Sequence, residues 1–294
     1  AWLRFRQNLP AMVASVFLIS LIVIAICWPF VSSLGNQHSD AQFHAPSAQY
    51  WFGTDVHGRD LFGRVLAGAR ISLLVGLVGA LVSLVIGVFW GATAGLLGGN
   101  WDNWMMRTVD ILYSLPSIIF VIVIITTLEG LIQGWVESIF GGDGSETARH
   151  ILLYAGLGAV SWLTMARIVR GQVLALREQQ FVEASRSLGL GTWPILWRHI
   201  LPNVFGVVIV YLTLTLPAVV LYESFLSYLG LGIQPPHASL GSLIAEGAAQ
   251  INPVRVYWWM ILFPAGGLAA LLMALNFIGD GLRDVFDPKS TKES

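Results

Sequence analysis

Residues 181–203 read FVEASRSLGLGTWPILWRHILPN, a polar stretch wedged between two long apolar runs. It carries Glu183, Arg186, Arg198 and His199 around Gly189. Phe181, Ala184, Ser185 and Leu188 fall at i, i+3, i+4 and i+7, the spacing of one helical face, which predicts a helix over 178–188. Gly189 suits the left-handed residue that ends such a helix. Thr192 is placed to cap a second short helix, with Pro194 in its first turn. That helix is expected to stop near Leu201, because the residue before Pro202 is pushed away from helical conformation. The expectation is a helix, a tight turn and a second helix that leads into an apolar run.

The surroundings say where such a hairpin lies. The chain has 294 residues, of which 55% are hydrophobic and 11% charged, and its mean hydropathy is +0.71. Soluble domains carry about 25% charged residues, so this chain lacks the ionic groups to solvate a globular surface. Lipid is the expected solvent. A net charge of −1 gives no basic field for nucleic acid. The single cysteine, Cys27, lies in an apolar run and excludes a disulfide framework or a cysteine metal site.

A span needs about 20 mostly apolar residues. The candidates are 11–31, 71–97, 108–128, 151–169, 204–228 and 257–279, which predicts an all-α integral membrane protein with six transmembrane helices. The fourth is the weakest, since it includes Ser161, Thr164 and Arg167. Kinks are expected at Pro116, Pro217 and Pro264, and Trp258 and Trp259 fit an interfacial aromatic belt. The run 11–31 follows Arg4 and Arg6 but is too long for a signal core and has no A-x-A site after it, so an uncleaved anchor is expected. The implied organisation is 1–31 for the first helix, 32–70 for an outer segment, 71–282 for a core of five helices, and 283–294 for a tail. Within the core, 171–203 is the hairpin region, 129–150 a Gly- and acid-rich outer loop, and 231–256 an outer segment with a short helix. The second span carries Gly76, Ala80, Ser83, Gly87, Gly91 and Gly95 in a row that lets another helix approach closely. No internal repeat supports an inverted-repeat carrier.

Orientation follows from the basic residues. With the N-terminus inside, Arg4, Arg6, Arg107, Arg167, Arg170, Arg177, Arg186, Arg198, Arg283, Lys289 and Lys292 lie on the inner side. Arg59, Arg64, Arg70, Arg149 and Arg255 lie outside. The bias puts both termini and the hairpin in the cytoplasm.

Glu183-Ala184-Ser185, three residues, Gly189, nine residues, then His199-Ile200-Leu201-Pro202 resembles the E-A-A-x3-G-x9-I-x-L-P signature of ABC importer permeases. Ser185 replaces the second Ala and His199 the Ile, leaving Glu183, Gly189 and Pro202 as the matching anchors. The outer stretch FGTDVHGRDLFGRVLAGARISLLVG, residues 52–76, resembles the G-T-D-x-x-G-R-D-x-x-S-R-x-x-x-G-A-R-x-S-L motif of the C-type permease of oligopeptide and dipeptide importers, with Gly63 for the Ser. SWLTMARIVRG at 161–171, ESFLSYLGLGIQPP at 223–236 and NFIGDGLRDVFDPK at 276–289 look like later landmarks of the same subunit. The resemblance implies a type I importer permease fold in the cell inner membrane. It implies a heterodimer with a second permease, two ATPase subunits and an extracytoplasmic peptide-binding protein. It also makes Glu183, Ala184, Ser185, Arg186, Gly189, Leu201 and Pro202 the ATPase-coupling residues. A rigid element touching both the ATPase and the helix bundle is also what coupling physically requires.

Individual residues leave alternatives open. Gly53, Thr54, Asp55, Gly58, Arg59 and Asp60 form either a structural motif, with Asp60 capping a helix from Leu61, or a gate or binding-protein contact. Asp55, His57 and Asp60 lack calcium-loop spacing. Glu223, a carboxylate within a span, either meets a peptide ammonium in the pathway or pairs with an Arg of the second permease. Arg107 and Asp110, three apart, are expected to pair along one helix, and Asn276 and Asp280 to cap or pack. No metal site is expected from the spacing of the six His.

Catalysis is not expected of this chain. It has no G-x-x-x-x-G-K-[ST], no G-x-S-x-G and no H-E-x-x-H. No cofactor is expected on it, and ATP and Mg are assigned to the partner ATPases. The rivals are a nickel or other small-solute importer sharing these landmarks, an ATP-independent carrier or channel, and a scaffold that transports nothing.

Overall fold

A computed structural model describes residues 2–31, 40–140, 145–234 and 237–286. Short α1 (Trp2–Gln7) leads into α2 (Leu9–Val31), an apolar helix of 23 residues. Next comes α3 (Leu61–Leu97), which begins ten residues before the predicted span because Asp60 caps it, its carboxylate accepting from the Gly63 amide at 2.9 Å. At 1.5 Å per residue, α3 is roughly 55 Å long. That exceeds the hydrocarbon thickness of about 30 Å, so its first turns extend beyond lipid.

The predicted span 108–128 is broken. It straddles α4 (Gly99–Tyr113) and α5 (Ser117–Phe140), whose axes meet at 90° across a break that contains Pro116. Proline lacks the amide that would continue the ladder, so the chain turns there. The predicted outer loop 129–150 is largely helical: α5 runs to Phe140 and α6 (Ser145–Arg177) starts at Ser145, while 141–144 lie outside the described residues. After the hairpin come α9 (Leu201–Tyr228), α10 (Leu240–Ala249) and α11 (Trp259–Phe286). Among the described residues four segments are long and apolar enough to cross a membrane, or five if the bent α4–α5 pair is one span. Among the described residues the expected count of six is therefore not reached on length and composition.

Helix α6 sits at the centre, packed along α3. A Cβ at Gly87 would meet the Met165 Cβ at 2.6 Å, one at Gly95 the Val173 Cβ at 2.9 Å, and one at Gly91 would collide with the Ala166 carbonyl. The row of small residues in α3 thus receives α6, and its Gly76 end receives Val220 of α9. Two cores result at opposite ends of α3. Leu61, Val65, Leu240, Leu243, Trp259 and Leu271 fill one, and Leu96, Val173, Val182, Ile195, Leu196 and Ile200 the other.

Candidate functional site

The hairpin occupies the end of the molecule where α3 finishes. Helix α6 ends at Arg177, whose guanidinium donates to the Gly95 and Leu96 carbonyls of α3, both at 3.3 Å. Helix α7 (Gln180–Ser187) follows, and Gly189, at φ +81°, reverses the chain. The Gly189 amide donates to the Arg186 carbonyl at 2.9 Å and the Leu190 amide to that of Ser185 at 3.2 Å, closing the helix as the left-handed cap predicts.

Two expectations for the second arm fail. Gly191, not Thr192, is the cap, and Thr192 is the first residue of α8 (Thr192–Ile195). The arm does not stop at Leu201 either. It passes through a π turn at Leu196–Ile200, where the Leu201 amide reaches back to the Leu196 carbonyl, and continues as α9 with Pro202 in the first turn. The wider turn makes room for the proline ring, and the Asn203 side-chain amide takes up the His199 carbonyl at 2.6 Å. The second arm of the hairpin and the helix after it therefore form one rod, a candidate span over Thr192–Tyr228.

The buried face of α7 also differs from expectation. Val182 and Ser185 are inside, packed near Ile195, Leu196 and Ile200, whereas Phe181 is 40% and Leu188 83% exposed. Trp193 and Trp197 are 47% and 60% exposed. Glu183, Ala184, Arg186 and Gly189 are exposed, and among the described residues the side chains of Glu183, Arg186 and Arg198 take part in no ion pair. Aromatic anchors ringed by unpaired charges form a surface suited to docking a protein.

The outer motif lies at the other end of α3 and forms a clasp. Gly53 and Gly58 both take positive φ, and a Cβ at Gly53 would meet the His44 carbonyl at 2.6 Å. Thr54 is fully buried, its carbonyl receiving the Trp259 indole at 3.2 Å. The Asp55 carboxylate accepts from the His57 and Arg59 amides, from Arg59 Nε at 2.7 Å and from Arg64 Nη1 at 2.7 Å. Arg64 also donates to Glu246 on α10, with Nη2 at 2.9 Å from Oε1. Burial raises the Asp55 pKa, but Arg64 and Arg59 with the amide donors outweigh it and hold the group below its ordinary value. Burial dominates at Asp60 and pushes its pKa up, although the Gly63 and Phe62 amides oppose the shift.

Glu223, the carboxylate expected in the pathway or at the subunit contact, lies inside the subunit. It is 0% exposed, and accepts from Ser72 at 2.8 Å and Ser227 at 2.6 Å, with Ser224 at 3.3 Å. The serine hydroxyls compensate the buried carboxylate. The expected Arg107–Asp110 pair is replaced by cross-helix pairs: Arg167 holds Asp110 at 2.7 Å, and Arg170 grips Asp102 with two bonds of 2.5 and 2.6 Å. Asn276 neither caps nor packs, since its amide donates to the Leu272 carbonyl on an exposed face. Sequence reasoning did not identify Glu246 or Asp102 at all. Their partners lie 182 and 68 residues away, and no local spacing signals them.

A bundle of long apolar helices with a polar hairpin fused to one of them defines a helical integral membrane protein. Residues 83–292 match the family model of the binding-protein-dependent transport system inner membrane component, and 1–46 match the N-terminal membrane domain of oligopeptide transport permease C. The chain belongs to this family of ABC importer permeases. It is 42% identical over 98% of its length to the dipeptide transport system permease protein DppC of Bacillus subtilis, covering 85% of that protein. It is 43% identical over 97% of its length to the oligopeptide transport system permease protein OppC of Escherichia coli, covering 89%. The fold resembles a chain of the MetNI methionine ABC transporter in an inward-facing conformation, with TM-score 0.57, 21% identity, and coverage of 77% of this chain and 98% of that one.

Proposed function

We propose that this chain is the C-type permease of an ATP-driven importer of oligopeptides or dipeptides and forms half of its translocation pathway. Its relatives named for peptide transport support the substrate class. The observation that carries the mechanism is the continuous rod from Thr192 through the π turn to Tyr228. A push on the exposed Trp193 and Trp197 moves α9 without a hinge between them. The hairpin docks on one of two ATPase subunits, a second permease completes the pore, and a binding protein delivers peptide from the opposite side. Both termini and the hairpin face the cytoplasm of an inner membrane, and α6 crosses the bilayer as the sixth span. This chain binds no nucleotide, and ATP with Mg stays on the ATPases. In the clasp the ion cluster of buried Asp55 and Arg64 with half-buried Glu246 favours the structural role for the outer motif.

The test is affinity purification of the tagged chain in mild detergent, identification of the proteins that accompany it, and assay of ATP hydrolysis. The expected result is a complex with ATPase subunits whose hydrolysis rises when peptide-loaded binding protein is added. A chain that purifies alone, or a complex indifferent to peptide, overturns the proposal.

A further inference from the structure

A cavity of about 300 Å³ lies where the α4–α5 break meets α6 and α9, and none of its lining residues is charged. Hydroxyl groups dominate its polar lining: Tyr113, Ser117, Thr164, Tyr211, Thr215 and Tyr222. Its depth is unusual for such groups. Thr164 falls near the middle of Ser145–Arg177 and Thr215 near the middle of Leu201–Tyr228. Lipid-facing tyrosines gather at the membrane interfaces rather than at mid-depth. Among the described residues, the hydroxyls of Ser117, Tyr211 and Tyr222 make no hydrogen bond within the chain. Unpaired hydroxyls inside a helix bundle are satisfied by water or a ligand that enters the space they line.

We propose that this chamber is the subunit's own contact surface for the main chain of a passing peptide, an inference that rests on the peptide-permease reading above. A hydroxyl both donates and accepts, as the peptide amide does, so the lining matches a main chain without reading its side chains. An uncharged wall favours neither sign of substrate charge. The chamber also offers no imidazole or carboxylate, the groups that hold a nickel ion. Its volume is at the low end of the usual pocket range of about 300–1,000 Å³, as expected of a half-site that a second permease completes. Arg167 marks the hairpin-side limit, its guanidinium 4.1 Å from the centre of the Tyr113 ring.

The test uses the full transporter in proteoliposomes, with its second permease, ATPases and binding protein. Uptake is measured for three tripeptides that differ only in a central Glu, Ala or Lys. The original chain is expected to move all three at similar rates. Thr164→Asp is expected to slow the Glu peptide relative to the Lys peptide by about tenfold, and Thr164→Lys to reverse that order. Opposite selectivities from one position cannot come from misfolding. In a second measurement, Thr215→Cys in a Cys27→Ser background should react with a thiol reagent more slowly when peptide and ATP are present. Equal effects of Asp and Lys on all three peptides, or a thiol in the Thr215→Cys variant indifferent to peptide, overturn the chamber while leaving uptake, and the permease reading, intact. A wild-type assembly that moves none of the three overturns both.

Discussion

The two ends of α3 are built on opposite principles. At the clasp, every charge is spent inside the subunit: Asp55 is fully buried between Arg59 and Arg64, and Arg64 reaches on to Glu246. At the hairpin, Glu183, Arg186 and Arg198 are exposed and, among the described residues, form no ion pair, beside the exposed Leu188, Trp193 and Trp197. A cluster that satisfies itself has nothing left for a partner, whereas unpaired charge around exposed aromatic rings is an unfinished interface. On the reading proposed above, the contrast gives fixed geometry to one end and interaction to the other. Variants at the clasp should then change stability without coupling, and variants at the hairpin coupling without stability.

The largest effect is expected at the clasp. Arg64→Met leaves Glu246 without its bidentate partner and Asp55 with only Arg59, and losing one member of a buried pair costs about 3–5 kcal/mol. Thermal unfolding in detergent should fall steeply, while the folded fraction keeps its ratio of peptide moved to ATP hydrolysed. A changed ratio would place the clasp in the coupling path and erase the contrast. Glu183→Arg should do the reverse. Exposed substitutions shift stability by no more than about 0.5 kcal/mol, so insertion and unfolding stay as they are. If Glu183 is an interface hot spot worth about 2 kcal/mol, transport falls about thirtyfold while basal ATP hydrolysis continues. Full transport by this variant counts against the docking role.

How much of this was readable in advance depended on how local the cause was. The turn at Gly189, the cap at Asp60 and the small-residue face of α3 each follow from a few neighbouring residues, and each stands as read. The break at Pro116 was expected as a kink, but a hydropathy window is blind to direction, so it merged the end of α4 with the start of α5. The face of α7 was misassigned because periodicity places Phe181 and Val182 only one residue apart. Packing against α6 and α8 then chose Val182. Glu223 was recognisable as an anomaly, yet only the fold brings Ser72 from 151 residues away to answer it.

A smaller effect should separate shape from charge at the hairpin. Gly189 has nothing within 4 Å of where a Cβ would stand, so a side chain there meets no obstacle and only the backbone resists. At φ +81° a β-branched residue carries strain of about 1–3 kcal/mol. Gly189→Val should therefore loosen the turn and lower coupling by about tenfold, whereas Gly189→Asn, which tolerates the left-handed region, should retain most of it. Equal loss in both variants would mean that the surface itself, and not the turn, demands glycine.

The smallest expected effect is in acid, and it sharpens the clasp. Asp55 has a folded pKa below the ordinary 3.8, so its contribution is complete above that value and drains away as pH falls from 3.8 through the folded value. Asp60 has its pKa raised above 3.8, so its contribution has the opposite slope: stability rises as pH falls through the folded value towards 3.8, and is level below. The two windows meet at the unfolded value without overlapping. Unfolding followed against pH in detergent should show the Asp55→Asn variant losing less stability below 3.8 than the original chain. Asp60→Asn, which keeps a capping oxygen, should gain less on acidification above 3.8. If Asp55→Asn leaves the acid limb unchanged, its bonds to Arg59 and Arg64 do not hold the clasp, and the division between a fixed end and a docking end loses its energetic basis.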